Sequence, residues 1–147
     1  LIFIPSFGAT ATLLFANPGS PHAQPWPAIA GNTTAAATGI IVSTLLPVPV
    51  LSIALSVSIG LILICGLRAF HPPAGAVAIT AVLASDAGLL HGFQYVVLPV
   101  FFGMSLIVII RIIYAKVISK HYPDSTGRTG LRSGSCRNDH AARTYEN

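Results

Sequence analysis

The chain has 147 residues, of which 53% are hydrophobic and only 8% charged, against roughly 25% charged in an ordinary soluble domain. Residues 1–67 contain no Lys, Arg, Asp or Glu, which excludes a soluble globular domain and points to an all-α, polytopic membrane helical bundle. The net charge of +4 comes mostly from Lys116, Lys120, Arg128, Arg132, Arg137 and Arg143, without the interleaved aromatic residues of an RNA or DNA surface, so the expected surroundings are a lipid bilayer and no nucleic acid.

Five apolar segments follow in order. Leu1 to Ala16 is broken by Pro5 and Gly8 and closed by NPGSPHAQPWP, a Pro-rich loop whose Trp26 suits a membrane interface. Ala28 to Leu46 has about the 20 residues that a spanning helix needs, and PVPV at 47–50 turns it into a third segment, Leu51 to Leu67, as an antiparallel hairpin. The fourth segment, Pro72 to Ala84, is short for a span, since a helix rises about 1.5 Å per residue. The fifth, Phe93 to Ile118, is the longest, with Tyr95 and Tyr114 near its ends. The expected division is a transmembrane domain over 1–120 and a disordered polar tail over 121–147. The two cysteines are too few for a disulfide framework. Small residues at spacing four, Gly31, Ala35 and Gly39, Ser52, Ser56 and Gly60, and Ala76, Thr80 and Ala84, mark faces where membrane helices approach closely.

PSFGATA at 5–11 and PPAGAVA at 72–78 agree at four of seven positions, and each opens a short apolar segment followed by a longer one. Either this is chance in an alanine-rich chain or it marks an internal repeat. A repeat predicts a further span before Leu1, in keeping with the absence of an initiator Met and of a charged leader. Paired Pro/Gly-interrupted short segments point to a transport site, because broken helices leave backbone groups free for a substrate.

With RAFHPPAGA, the upstream PSFGATATLLFANPGSPHAQP and IAGN, residues 1–118 resemble the HPP family of integral membrane proteins, named for the triplet His71, Pro72 and Pro73. The resemblance implies four membrane helices, one of them before residue 1. Since some members are implicated in nitrite transport, it also implies a permease for a small inorganic anion. If 28–46, 51–67, 93–118 and the preceding helix are the four, segments 5–16 and 72–84 are re-entrant. The alternative is that all segments cross as an inverted pair of three. Lys116 and Lys120 favour an inner-side C-terminus, and Arg68 then lies on the same side with six crossings or opposite with re-entry.

At the HPP triplet, Pro72 and Pro73 carry no N–H and start a helix abruptly. The N–H groups of Ala74, Gly75 and Ala76 then lack intrahelical partners and, with the partial positive charge of a helix start, form an anion seat. Gly75 admits close approach. Arg68 and His71 are three apart and share a face if the preceding helix runs that far. Arg offers a fork for a planar oxyanion, and His a donor or a proton acceptor. The first copy adds Ser6, Gly8, Ala9 and Thr10 as an opposing wall, with Phe3 and Ile4 standing where Phe70 and His71 stand in the second.

Plainer readings exist for each. Arg68 snorkels to headgroups, and His71 caps the preceding helix; Arg111 snorkels beside Lys116. Ser85 and Asp86 cap a helix from 87 onward, while His22 and His91 lie at the surface or at an interface. No HExxH, CxxC, P-loop or GxSxG is found, and three of the four acidic residues lie in the tail. An enzyme, a metal site and a cofactor are therefore not expected. Two functions remain: a permease for a small monovalent anion, with nitrite as the candidate, or a non-transporting membrane module that recruits a partner through its basic tail. A homo-oligomer is left open.

Overall fold

The structure is a computed structural model and describes residues 5–88 and 92–118. Five helices form a bundle: α1 (Pro5–Ala16), α2 (Pro27–Leu45), α3 (Pro49–Gly66), α4 (Ala74–Asp86) and α5 (Phe93–Ile118). Among the described residues there is no strand. The helices α2, α3 and α5 are long and apolar enough to cross a membrane, and α1 and α4 are shorter. The polar tail assigned to 121–147 and His91 lie outside the described residues.

Proline sets most boundaries. The turn between α2 and α3 is extended at Leu46 and Val48, each of which precedes a proline that disfavours helical backbone before it. The Ser52 hydroxyl donates to the Leu46 carbonyl at 2.6 Å and closes the turn. Within α5, Pro99 supplies no N–H and its ring crowds the carbonyl four residues back. The helix there widens to a π-helical stretch, Val96–Phe102, before returning to α-helix at Gly103. A second π-helical stretch, Pro27–Gly31, opens α2.

The core lies where α2 meets α4, around Ala35, Ala36, Ile40, Ala74, Val77, Ala78 and Ala81, with Tyr95, Val100 and Met104 of α5 closing it. Small residues bring the axes together. A Cβ added at Gly39 would stand 2.7 Å from the Ala78 carbonyl oxygen and from the Ala81 Cβ, and one at Gly31 2.5 Å from the Ala69 carbonyl oxygen. Ser52, Ser56 and Gly60 are buried on α3, and Gly60 faces Ala35 and Thr38. The face expected on α4 is met only at Ala84, which is buried: Ala76 is exposed and Thr80 half-buried, and the packing face is Ala74, Val77, Ala78, Ala81, Val82 and Ala84. In contrast, α3 turns Leu51, Ile59, Leu61, Ile62 and Leu63 outward, an apolar surface suited to lipid.

Contacts fix the helix directions. Gly31 meets Ala69 and Gly39 meets Ala78 and Ala81, so α2 and α4 run parallel. Gly103 lies against the Phe7 ring and Arg111 binds the Leu14 carbonyl, so α1 and α5 run parallel. Asn32 touches Met104, and Ala28 packs with Val108, so α2 and α5 are antiparallel. The two short helices, opened by the two copies of the repeated motif, therefore run in opposite directions.

Two expectations change. Ser85 and Asp86 do not cap a following helix; they end α4, where the Ala87 N–H bonds Leu83 and the Gly88 N–H bonds Ser85, with Gly88 at φ +61°. Arg111 does not snorkel. It is 2% exposed, its Nε–H donates to the Leu14 carbonyl at 2.8 Å, and its guanidinium lies 5.7 Å from the Phe15 ring centroid and 5.6 Å from that of Tyr114.

Candidate functional site at the two short helix starts

The helix α3 stops at Gly66, so Arg68 and His71 do not share a helical face. Arg68 adopts φ +52°, the left-handed position after a helix where glycine is usual. The Ala69 N–H bonds the Ile64 carbonyl at 2.8 Å and the Arg68 N–H the Cys65 carbonyl at 3.0 Å, a Schellman closure. The Arg68 side chain is exposed. Trp26 covers the same helix end, donating through Nε1 to the Leu67 carbonyl at 3.4 Å.

His71 is fully buried. Its Nδ1 lies 2.8 Å from the His22 carbonyl oxygen, which can only accept, so Nδ1 carries the proton. Nε2 of the neutral ring then accepts from the Thr10 hydroxyl at 2.9 Å. Reciprocally, His22 Nδ1 donates to the Phe70 carbonyl at 3.0 Å, and the His22 and Phe70 rings meet edge to face. The two histidines thus brace the 17–26 loop to the segment before α4, and Thr10 ties both to α1. His22 is half-buried in this brace. Burial pushes His71 below its ordinary 6.5; the bond to the His22 carbonyl opposes this and the His22 charge adds to it.

The prolines precede α4 and form a tight turn. The Ala74 N–H donates to the His71 carbonyl at 2.9 Å and the Ala76 N–H to the Pro73 carbonyl at 3.1 Å. Two of the three amides expected in the seat are therefore used internally. Pro72 and Ala76 are exposed, Pro73 and Gly75 half-buried, and Ala74 buried. On α1, Gly8 and Ala9 face outward while Ser6 and Thr10 face inward. A Cβ added at Gly8 or at Gly75 meets nothing within 4 Å, so both copies of the motif leave open space beside a helix start.

The interior holds a residue that the sequence reading met as the end of IAGN but gave no role in the site. Asn32, fully buried in α2, donates through Nδ2 to the Ala28 carbonyl at 2.6 Å and to the Met104 sulfur at 3.5 Å. Its Oδ1 has no hydrogen-bond partner among the described residues, and neither has the Ser6 hydroxyl in the first turn of α1. The available signal was an amide side chain within the first third of a spanning segment, Pro27–Leu45. A separate groove of about 630 Å³, lined by Trp26, Ile29, Ala30, Thr33, Leu67 and Phe101 among others, is apolar and lies apart from these polar groups; its walls suit a hydrocarbon chain better than an ion. No group of three or more His, Cys, Asp or Glu that could hold a metal occurs among the described residues.

The transmembrane region of the HPP family matches residues 1–123. A transmembrane protein of Dictyostelium discoideum is 32% identical over 107 residues, covering 70% of this chain and 34% of its own length. A second from the same organism is 28% identical over 127 residues, covering 83% of this chain and 44% of its own length. The chain thus spans less than half of the curated relatives it matches. No solved structure matches. The chain belongs to the HPP transmembrane family and is a membrane protein.

Proposed function

We propose that this HPP-family chain forms a multi-pass membrane permease for a small monovalent anion, with nitrite as the leading candidate substrate and the C-terminus on the inner side. The observation that carries this reading is the pair of short, Pro-preceded or Pro-started helices, α1 and α4, running in opposite directions inside a bundle of longer apolar helices. Irregular backbone at membrane depth is tolerated where it is buried in protein or lines a cavity, and interrupted helices of this kind mark transport sites.

Arg68, exposed at the end of α3, is the attractor at the mouth. The open space beside Gly75 and Gly8 gives an anion access to the two helix starts, each of which carries partial positive charge. Ser6 and Thr10 line the inner side. Among the described residues the one carboxylate is Asp86, exposed at the far end of α4 from the HPP triplet, which disfavours a cation route.

The test is uptake of nitrite, nitrate, formate and chloride into proteoliposomes containing the purified chain. Arg68→Gln is expected to lower the initial rate of nitrite uptake several-fold with unchanged unfolding in detergent. Equal rates for Arg68→Gln and the parent would reject the mouth assignment, and uptake no faster than in protein-free vesicles would reject the permease.

A further inference from the structure

The repeat extends beyond the two short motifs. Pro27-Ala-Ile-Ala-Gly31-Asn32 and Pro99-Val-Phe-Phe-Gly103-Met104 share Pro and Gly at one spacing, and each contributes to the π-helical stretch of a spanning helix. Each glycine packs against the other half, Gly31 against the segment that leads into the short helix and Gly103 against the first turn of the short helix. Gly31 faces the Ala69 carbonyl and the His71 Cβ, and Gly103 faces the Phe7 ring. With α1 antiparallel to α4 and α2 antiparallel to α5, an approximate two-fold axis exchanges α1–α2 with α4–α5. Equivalent residues that touch lie on that axis, and Asn32 and Met104 touch, Nδ2 to Sδ at 3.5 Å.

Asn32 is therefore the polar group at the centre of the pair, where inverted-repeat transporters hold their substrates. Its orientation is fixed: both amide hydrogens have acceptors, Ala28 O and Met104 Sδ, and a flipped amide would set Oδ1 against a carbonyl. What remains is a bare acceptor, costly to bury without a donor. The hydroxyls of Ser6 and of Ser56 on α3 also lack a partner among the described residues, and Ser6 lies in the turn of α1 whose Phe7 ring rests on Gly103, next to Met104. A carbonyl oxygen repels an unprotonated anion. Arg68 is exposed, the His71 ring is committed at both nitrogens, and Arg111 lies seven residues along α5 from Met104, roughly 10 Å at the helical rise.

We infer that Asn32 Oδ1 is the central contact of the permeant and takes a hydrogen bond from it, so that the substrate crosses as a neutral, proton-bearing weak acid after its anion is gathered at the mouth. The proton joins the anion on one side and leaves it on the other; no other bond is made or broken. This inference rests on the permease reading and narrows it to weak acids such as nitrous and formic acid, against strong acids such as nitric and hydrochloric.

The experiment uses proteoliposomes containing a luminal pH dye, with protein-free vesicles subtracted. Added nitrite or formate is expected to acidify the lumen at a rate that depends on protein and not on an imposed membrane potential, whereas nitrate and chloride give no protein-dependent uptake. Asn32→Leu, of similar size, is expected to lower nitrite uptake about tenfold, the equivalent of one lost hydrogen bond, and Met104→Leu to leave it within about twofold. Potential-driven, current-carrying flux of nitrate and chloride would keep the permease and overturn the proton-bearing form. A parental rate in Asn32→Leu would overturn the role of Asn32. Should Asn32→Leu not fold, the unmodified chain alone decides, through the dependence on potential and the strong-acid arm. Absence of all protein-dependent flux would overturn this inference together with the permease.

Discussion

At the start of α4 most of the polar groups are committed within the fold. The Ala74 and Ala76 amides are bonded within the turn, His71 uses both ring nitrogens, and Arg68 closes the preceding helix from a left-handed backbone. The start of α1 repeats four of the seven residues of that motif, yet there Ser6 is buried with no partner among the described residues for its hydroxyl, and Gly8 and Ala9 are open. The conspicuous copy, with its histidine and arginine, holds the bundle together. The plain copy leaves polar valence to spare. A motif rich in functional residue types can thus be structural, because buried polar groups must first satisfy one another.

The comparison breaks if the α4 start proves tolerant. His71→Ala removes a buried ring and two hydrogen bonds that join three segments. It should cost about 3 kcal/mol, measured by chemical unfolding in detergent; a cost below about 1 kcal/mol would deny the brace. Gly31→Ala drives a methyl into the Ala69 carbonyl and should cost about 1–3 kcal/mol by the same assay, whereas Gly8→Ala, with nothing within 4 Å of its Cβ, should be neutral or slightly stabilising.

The brace also has a pH signature. His71 is held below 6.5 in the folded chain, so well above that pH the ring is neutral whether folded or not and makes no slope. Below it the unfolded chain takes up the proton first, and stability should fall until the lowered folded value is passed. His71→Asn should lack that component, and an unchanged slope in it would place the effect elsewhere. Arg68→Gly should act in the opposite direction, relieving the left-handed backbone and stabilising the chain by about 0.5–1 kcal/mol while slowing nitrite uptake. Destabilisation would show that the guanidinium, rather than the backbone, matters to the fold.

Hydropathy and proline punctuation made the five helices legible within a few residues, since bilayer thickness and the missing proline N–H act locally. The Gly31, Gly39 and Gly60 contacts followed from small-residue spacing. The brace was not legible: Thr10 and His22 lie 61 and 49 residues from His71, and nothing local distinguishes a histidine that binds an ion from one that binds a carbonyl. Asn32, visible only as the end of IAGN, had no assigned role for a related reason, because one asparagine in an apolar span shows no partner until Met104 is seen across the bundle. The left-handed backbone of Arg68 had no sequence signal, as glycine is the usual marker of that position.

The most direct measurement is the concentration dependence of nitrite uptake into proteoliposomes containing this chain. The account predicts protein-dependent uptake that saturates and that formate competes away. A rate that rises linearly with nitrite, equal to that of protein-free vesicles, would contradict it.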